Sequence, residues 1–221
     1  MRRRRHGIRF IGLSLLAALG LLAVTAAAAQ AGEFKVGGQS FTAKAIASET
    51  FEGTAGTSTF TVPSIGLEIS CASAKISGTL LLGGTGHESM LFNECKVPGN
   101  KQCTVDPIQA AFLSSVVLHA EESWLLFASK AGEPFATILI LGELCTLPEK
   151  NELTGSFVAL VSKSESAEQT ISFANDSKTV ALFKELGISI SYAFGAAPAL
   201  LSISSVWKLS GANKGKAWGA E

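Results

Sequence analysis

Four cysteines, Cys71, Cys95, Cys103 and Cys145, carry the richest chemistry in this sequence. Four thiols can clasp a metal, cycle electrons or close two disulfides. Structural zinc sites and redox pairs favour closely spaced cysteines, and no Cys-x-x-Cys is present. An even number of cysteines behind an export signal (described below) points instead to two disulfides. Cys95 and Cys103 sit symmetrically about Gly99 in FNECKVPGNKQCTV. A hairpin turning at Pro98-Gly99-Asn100 would set them opposite each other, within disulfide range. Cys71 is then left to pair with Cys145. On the chain-entropy account the shorter loop contributes about 2.5 kcal/mol and the longer about 4.5 kcal/mol.

Other constellations are thinner. His119 and Glu121 would place an imidazole and a carboxylate on one face of a strand. Such a pair can hold a metal or move a proton, although at a strand end it is most often simply solvated. Ser205 and Lys208 match the Ser-x-x-Lys of penicillin-binding enzymes. Their Ser-Asp-Asn and Lys-Thr-Gly partners are missing, and Ser205 falls in an alternating run. No Gly-x-Ser-x-Gly elbow occurs. Gly83-Gly84-Thr85-Gly86 lacks nucleotide-binding spacing and reads as a hairpin tip. Glycoside hydrolysis needs only two placed acids, but the acids are scattered and the two aspartates, Asp106 and Asp176, lie in turn contexts. Trp124 and Trp207 sit in apolar or strand-like runs and are expected in the core. Trp218, among Gly and Lys, is expected to be exposed. No motif calls for a cofactor or a bound metal.

These residues must be positioned by strands. Leu67, Ile69 and Cys71 alternate with polar neighbours; so do Ile188-Ser189-Ile190-Ser191-Tyr192 and Leu201-Ser202-Ile203-Ser204, and, more weakly, Phe41 to Ser48. That period puts one face in a core and one in water. Thr59 to Val62 stops at Pro63. Residues 110–118 and 135–141 are apolar on both faces and are expected to be strands buried on both sides for part of their length, with a buried helix the alternative for 109–120. Turn residues recur at Gly37-Gly38, 83–86, 98–100, Ala131-Gly132, 175–177 and 211–213. Short alternating runs divided by turns predict an all-β, antiparallel sandwich or barrel-like single domain. One short helix is expected over 178–186, capped by Ser177 and stopped by Gly187. The segment 211–221 is expected to fray.

The first residues, MRRRRHGIRF, are followed by an uncharged apolar run that ends at Ala29-Gln30-Ala31. A basic region, an apolar region and a small-x-small triplet, in that order, make a secretory signal cut after Ala31. The alternative is a retained anchor, since the run is about long enough to span a bilayer. The adjacent arginines fit twin-arginine export poorly. All 5 arginines precede Gly32, which leaves 13 lysines against 18 acids, a net charge of −5. A chain without arginine is poor material for nucleic-acid binding or bidentate anion capture. The membrane is a partner only through an uncleaved signal segment.

GLEISCASAKISGTL, LFNECKVPGNKQCTV, and LGELC followed by LTGSFVALV together resemble a family of uncharacterised exported actinobacterial proteins. The shared features are a signal, a strand ending in Cys, a paired Cys hairpin and a later strand with the fourth Cys. The resemblance spans roughly residues 55–165 and, more loosely, the C-terminal third. It implies an all-β fold and supports the local pairing; it implies no chemistry. The expected protein is therefore secreted or cell-envelope associated, a non-catalytic structural or ligand-binding module. An envelope glycan is the partner class left open. A small extracellular carbohydrate hydrolase with a carboxylate pair is the alternative.

Overall fold

The structure, a computed structural model, describes residues 30–42, 46–162, 165–173, 177–185, 193–194 and 197–221. The N-terminal stretch supplies three short strands: β1 (Gln30–Ala31), β2 (Phe34–Val36) and β3 (Gln39–Ser40). Next come β4 (Ser48–Ala55) and β5 (Ser58–Val62), which pair with β6 (Leu67–Leu81) in one continuous register, from Ser48 opposite Leu81 to Val62 opposite Leu67. The two are one strand position interrupted at 56–57. A single 3-10 turn at Pro63–Ile65 separates β5 from β6. Gly83 and Gly84, both with positive φ, turn the chain into β7 (Thr85–Lys96).

β8 (Thr104–Val105) and β9 (Ile108–His119) likewise share one register against β7. Ala120 and Glu121, at φ 48° and 63°, form the two-residue turn into β10 (Glu122–Ala128). Positive φ at both positions matches the twist of an antiparallel hairpin. β11 (Ala136–Leu141) pairs with β8, β9 and β12 (Lys150–Thr154), while β13 (Ser156–Val161) lies beside β10. β14 (Gln169–Phe173) follows β13; then come the helix α1 (Ser177–Glu185), β15 (Ala193–Phe194), β16 (Ala197–Pro198), β17 (Leu200–Leu209) and β18 (Trp218–Ala220).

β17 pairs with β14 on one side and with both β4 and β5 on the other. That contact closes an antiparallel barrel in which, among the described residues, ten strands fill eight positions. A barrel of that size is just wide enough for side chains to fill. The filling is aromatic. Phe51 stacks on Trp207 at 4.3 Å and Phe127 on Phe157 at 5.1 Å, while Phe112 meets Phe157 edge-on at 5.1 Å. Alternation delivers these rings: Phe51 lies on the inward set of β4, and Phe112 on that of β9.

Several expectations change. Residues 110–118 and 135–141 are not dry on both faces. They alternate, with Leu113 and Leu139 exposed: β9 turns one face to the barrel interior, and β11, paired with β8, β9 and β12 beside the barrel, buries alternate residues too. Two-sided burial falls instead on β10 and β13, where Ser123, Trp124 and Leu125, and Phe157, Val158 and Ala159, are buried in succession. The tail does not fray. β18 pairs with β2, which pairs with β3, and Trp218 is fully buried between Phe34 and Trp207. Ser123 and Gln169 donate to the Ala220 and Trp218 carbonyls, fixing this sheet over one mouth of the barrel. The short helix is present as α1. The expected strand at 188–192, the Gly187 stop, the turn at 175–176 and most of the weak run at 43–45 lie outside the described residues.

All four cysteines are oxidised, but the pairing is Cys71–Cys95 and Cys103–Cys145. The hairpin at Pro98-Gly99-Asn100 exists, yet its register puts Lys96 opposite Thr104, so Cys95 and Cys103 are not partners. Cys71 and Cys95 directly oppose each other on β6 and β7, with Cα atoms 3.9 Å apart. The inward phase slips by one residue at the same level in both strands, from Cys71 to Ala74 and from Phe92 to Cys95, and Glu94 takes φ 53° there.

Peptide mapping under non-reducing conditions should therefore link Cys71 to Cys95 and Cys103 to Cys145; a Cys95–Cys103 peptide would sink this register. With 24 residues separating Cys71 and Cys95, replacing both by Ala should cost about 3.5 kcal/mol on the chain-entropy account. Trp218→Ala should cost about 3–5 kcal/mol, read as a drop in the urea midpoint, because it empties a closed aromatic site. A frayed tail would make the same change nearly neutral.

Candidate functional site

The residues that sequence reasoning favoured are not brought together. His119 ends β9 and its Nε2 lies 3.3 Å from Glu185 Oε2 of α1. Glu121 is a turn residue, so the expected one-face pairing of His119 with Glu121 does not form. Ser205 and Lys208 diverge. Ser205 is buried, accepts the Trp207 indole N–H at 2.8 Å and donates to the Ile171 carbonyl at 3.1 Å. Lys208 points outward and pairs with Glu168 at 2.5 Å. Trp124, Trp207 and Trp218 are all buried, so none offers a face for sugar stacking. Among the described residues no three His, Cys, Asp or Glu side chains cluster as a metal site. Among them, too, no helix is long and apolar enough to cross a membrane.

The structure reveals a polar residue that the sequence reading passed over. Glu88 on β7 is 3% exposed and faces the barrel interior in phase with Gly86, Met90 and Phe92. Its Oε1 accepts the Ser114 hydroxyl at 2.6 Å, while Oε2 has no partner among the described residues. Gly86, two residues back, vacates the room it occupies, while Gly78, opposite it on β6, leaves room for the Phe51 ring. A Cβ on Gly86 would lie 2.6 Å from Glu88 Oε1 and 2.7 Å from Ser114 Oγ. Burial pushes the Glu88 carboxyl up to about 8, against a smaller opposing effect of the Ser114 hydrogen bond. A carboxyl held neutral among aromatic rings can keep a hydrogen bond without a counter-ion. The signal was legible: one Glu on the inward phase of Gly86-x-Glu88-x-Met90-x-Phe92.

The concave surfaces lie on the outside. A groove of about 870 Å³ crosses the outer wall over β4, β6, β7 and β17, with Lys75, Lys208, Lys214, Glu52 and Glu168 around it. Its far wall is the loop after β17, which Glu49 anchors by accepting from the Asn213 backbone and side-chain N–H groups at 3.2 and 2.8 Å. A second hollow of about 390 Å³ lies beside it, bounded by His87, Lys130 and Glu133. Ser77 and Ser89 line both, so the two form one trough along the wall.

Fold and site together define a class: a closed antiparallel barrel with a packed aromatic interior, two disulfides and a polar trough on its outer wall. No family model matches the sequence, and no curated protein or solved structure is similar to it.

The folded Glu88 carboxyl holds its proton more tightly than the unfolded one. Its contribution to stability is full below the unfolded value of 4.5 and is lost as pH rises to about 8. The loss is at most about 1.4 kcal/mol per pH unit. Glu88→Gln should flatten that slope in a series of chemical denaturations across this window. Identical slopes for the two proteins would show that Glu88 does not titrate as described.

Proposed function

We propose that this chain is an exported, cell-envelope-associated module that performs no catalysis and presents its outer barrel wall to a ligand. One observation carries the proposal: rings fill the interior, while the trough through Ser77 and Ser89 is outside. Export is supported by the N-terminal basic and apolar regions and by two disulfides, which are compatible with an oxidising extracellular setting. The resemblance to exported actinobacterial proteins read from residues 55–165 would fit that placement. Lysine, glutamate, serine and threonine around the trough suit a hydroxyl-rich envelope glycan held by hydrogen bonds rather than by stacking.

A second reading, a carbohydrate hydrolase, is favoured by one feature: Glu52 and Glu168 line the same groove. Glycosidases place two carboxyls across such a cleft. Here Glu168 is engaged by Lys208 at 2.5 Å.

Co-sedimentation with purified peptidoglycan and envelope polysaccharides, alongside a soluble glycan array, separates the two. Binding without release of sugars is expected. Ser89→Trp, which fills the shared floor of the trough, should weaken binding at least tenfold while leaving thermal stability unchanged. Undiminished binding by this variant would overturn the assignment of the trough. Sugar release abolished by Glu168→Gln would establish the hydrolase instead.

A further inference from the structure

The export signal and the fold share residues. The small-x-small triplet that marks the end of the signal is Ala29-Gln30-Ala31. In the folded chain Gln30 and Ala31 are strand β1, paired with Leu118 and Val117 of β9. The pairing continues past the scissile bond, because the Gly32 N–H donates to the Val116 carbonyl at 3.2 Å.

This short strand fills a defined vacancy. β7 pairs with β9 only as far as Thr85 opposite Ser115. Beyond that point the same edge of β9 is taken over by β1 and Gly32. The hand-over happens at Val116, whose N–H donates to the Gly84 carbonyl at 2.7 Å while its carbonyl accepts from Gly32. Glu33 and Glu221 then exchange backbone hydrogen bonds and extend the sheet of β2 and β18. Gly32 is buried, and a Cβ there would collide with Val116 Cγ1 and the Glu221 backbone. A Cβ on Gly84 would collide with the Gly32 carbonyl. The Ala31–Gly32 bond is thus threaded between the barrel wall, the β6–β7 tip and the C-terminal strand.

We infer that processing and folding of this chain are ordered: the Ala31–Gly32 bond is cleavable only before the barrel mouth closes, and a chain that folds first keeps its N-terminal segment. The inference rests on the reading of residues 1–31 as a signal. A peptidase must bind its substrate as a free extended strand, with backbone groups unpaired. In the folded chain those groups are already bonded to β9. Hydrolysis adds one water, leaving a carboxylate on Ala31 and an α-ammonium on Gly32. The ammonium keeps an N–H for the Val116 carbonyl, while loss of Gln30 and Ala31 leaves that edge of β9 open at Val117 and Leu118. The fold accepts the product and shields the substrate.

The test uses the full 221-residue chain in detergent with a bacterial signal peptidase. One sample is oxidised and folded. The other is diluted from urea into the peptidase, so that cleavage competes with folding. New N-termini are read by mass spectrometry. The unfolded arm should yield chains beginning at Gly32, and the folded arm should be cut at least tenfold more slowly. Gly84→Val, which expels Gly32 from the wall without altering the cleavage triplet, should restore cutting in the folded arm. If that variant does not fold, hydrogen exchange on the folded native chain decides, with the Gly32 amide expected to be protected. Equal cutting of both arms, or an unprotected Gly32 amide, would overturn the ordering. An unfolded arm that is not cut at Ala31–Gly32 would remove the signal reading and the inference with it, an outcome distinct from equal cutting.

Discussion

The pairing of β17 with both β4 and β5 is the constraint on which everything else in this structure depends. An open antiparallel sheet of this length would present two edges and two faces. Closure removes the edges, which would otherwise recruit other chains, and turns one face into an enclosed interior. That interior must then be filled at near-crystalline density. Phe51, Phe112, Phe127, Phe157 and Trp207 meet the requirement from five different strand positions, through ring contacts of 4.3 to 6.3 Å. No one of them is in contact through sequence proximity. Phe112, Phe127 and Phe157 sit on three neighbouring strands, but Phe51 and Trp207 stack only once the first and last barrel strands have met.

A closed wall still leaves two open ends, and the chain secures them by different means. At the mouth near the β6–β7 and β9–β10 turns, the segments 34–40 and 218–220 come together. They form the β18–β2–β3 sheet and lay Trp218 over Trp207. At the opposite end, where β5 passes into β6 and β7 into β8, covalent bonds hold the strands: Cys71–Cys95 and Cys103–Cys145. Hydrogen bonds and burial seal one end and disulfides the other, so the two ends answer to different chemistry.

Filling the interior leaves the concave surfaces on the exterior. Of the two buried acids on inward strand positions, Glu49 holds Asn213, while Glu88 is neutralised by burial and tied to Ser114. The outward positions between the rings are small or charged: Thr54, Lys75, Ser77, Ser89 and Lys208. They form a trough because the loop after β17 and the segment around Lys130 and Glu133 rise on either side of a flat wall. The loop after β17 follows the floor residue Lys208 directly, whereas Lys130 and Glu133 come from a distant part of the chain.

Alternation in Leu67-Glu68-Ile69-Ser70-Cys71 and Leu201-Ser202-Ile203-Ser204, the glycine turn at 83–84 and the short helix were legible in the sequence. Each rests on local backbone preference and a period of two. Oxidation of all four cysteines was legible from composition. Their partners were not, because register is set by the whole β6–β7 ladder: symmetry about Gly99 suggested Cys95 with Cys103, and the ladder put Cys95 opposite Cys71. The same limit hid the burial of Trp218, since a tail of Gly, Asn and Lys says nothing of the Phe34 strand waiting for it. His119 and Glu121 looked like one face of a strand until a two-residue turn parted them. By itself the sequence determined strands, turns and redox state, which are local. Closure, register, disulfide pairing and the trough were decided by the tertiary structure alone, because each depends on which distant strand lies alongside.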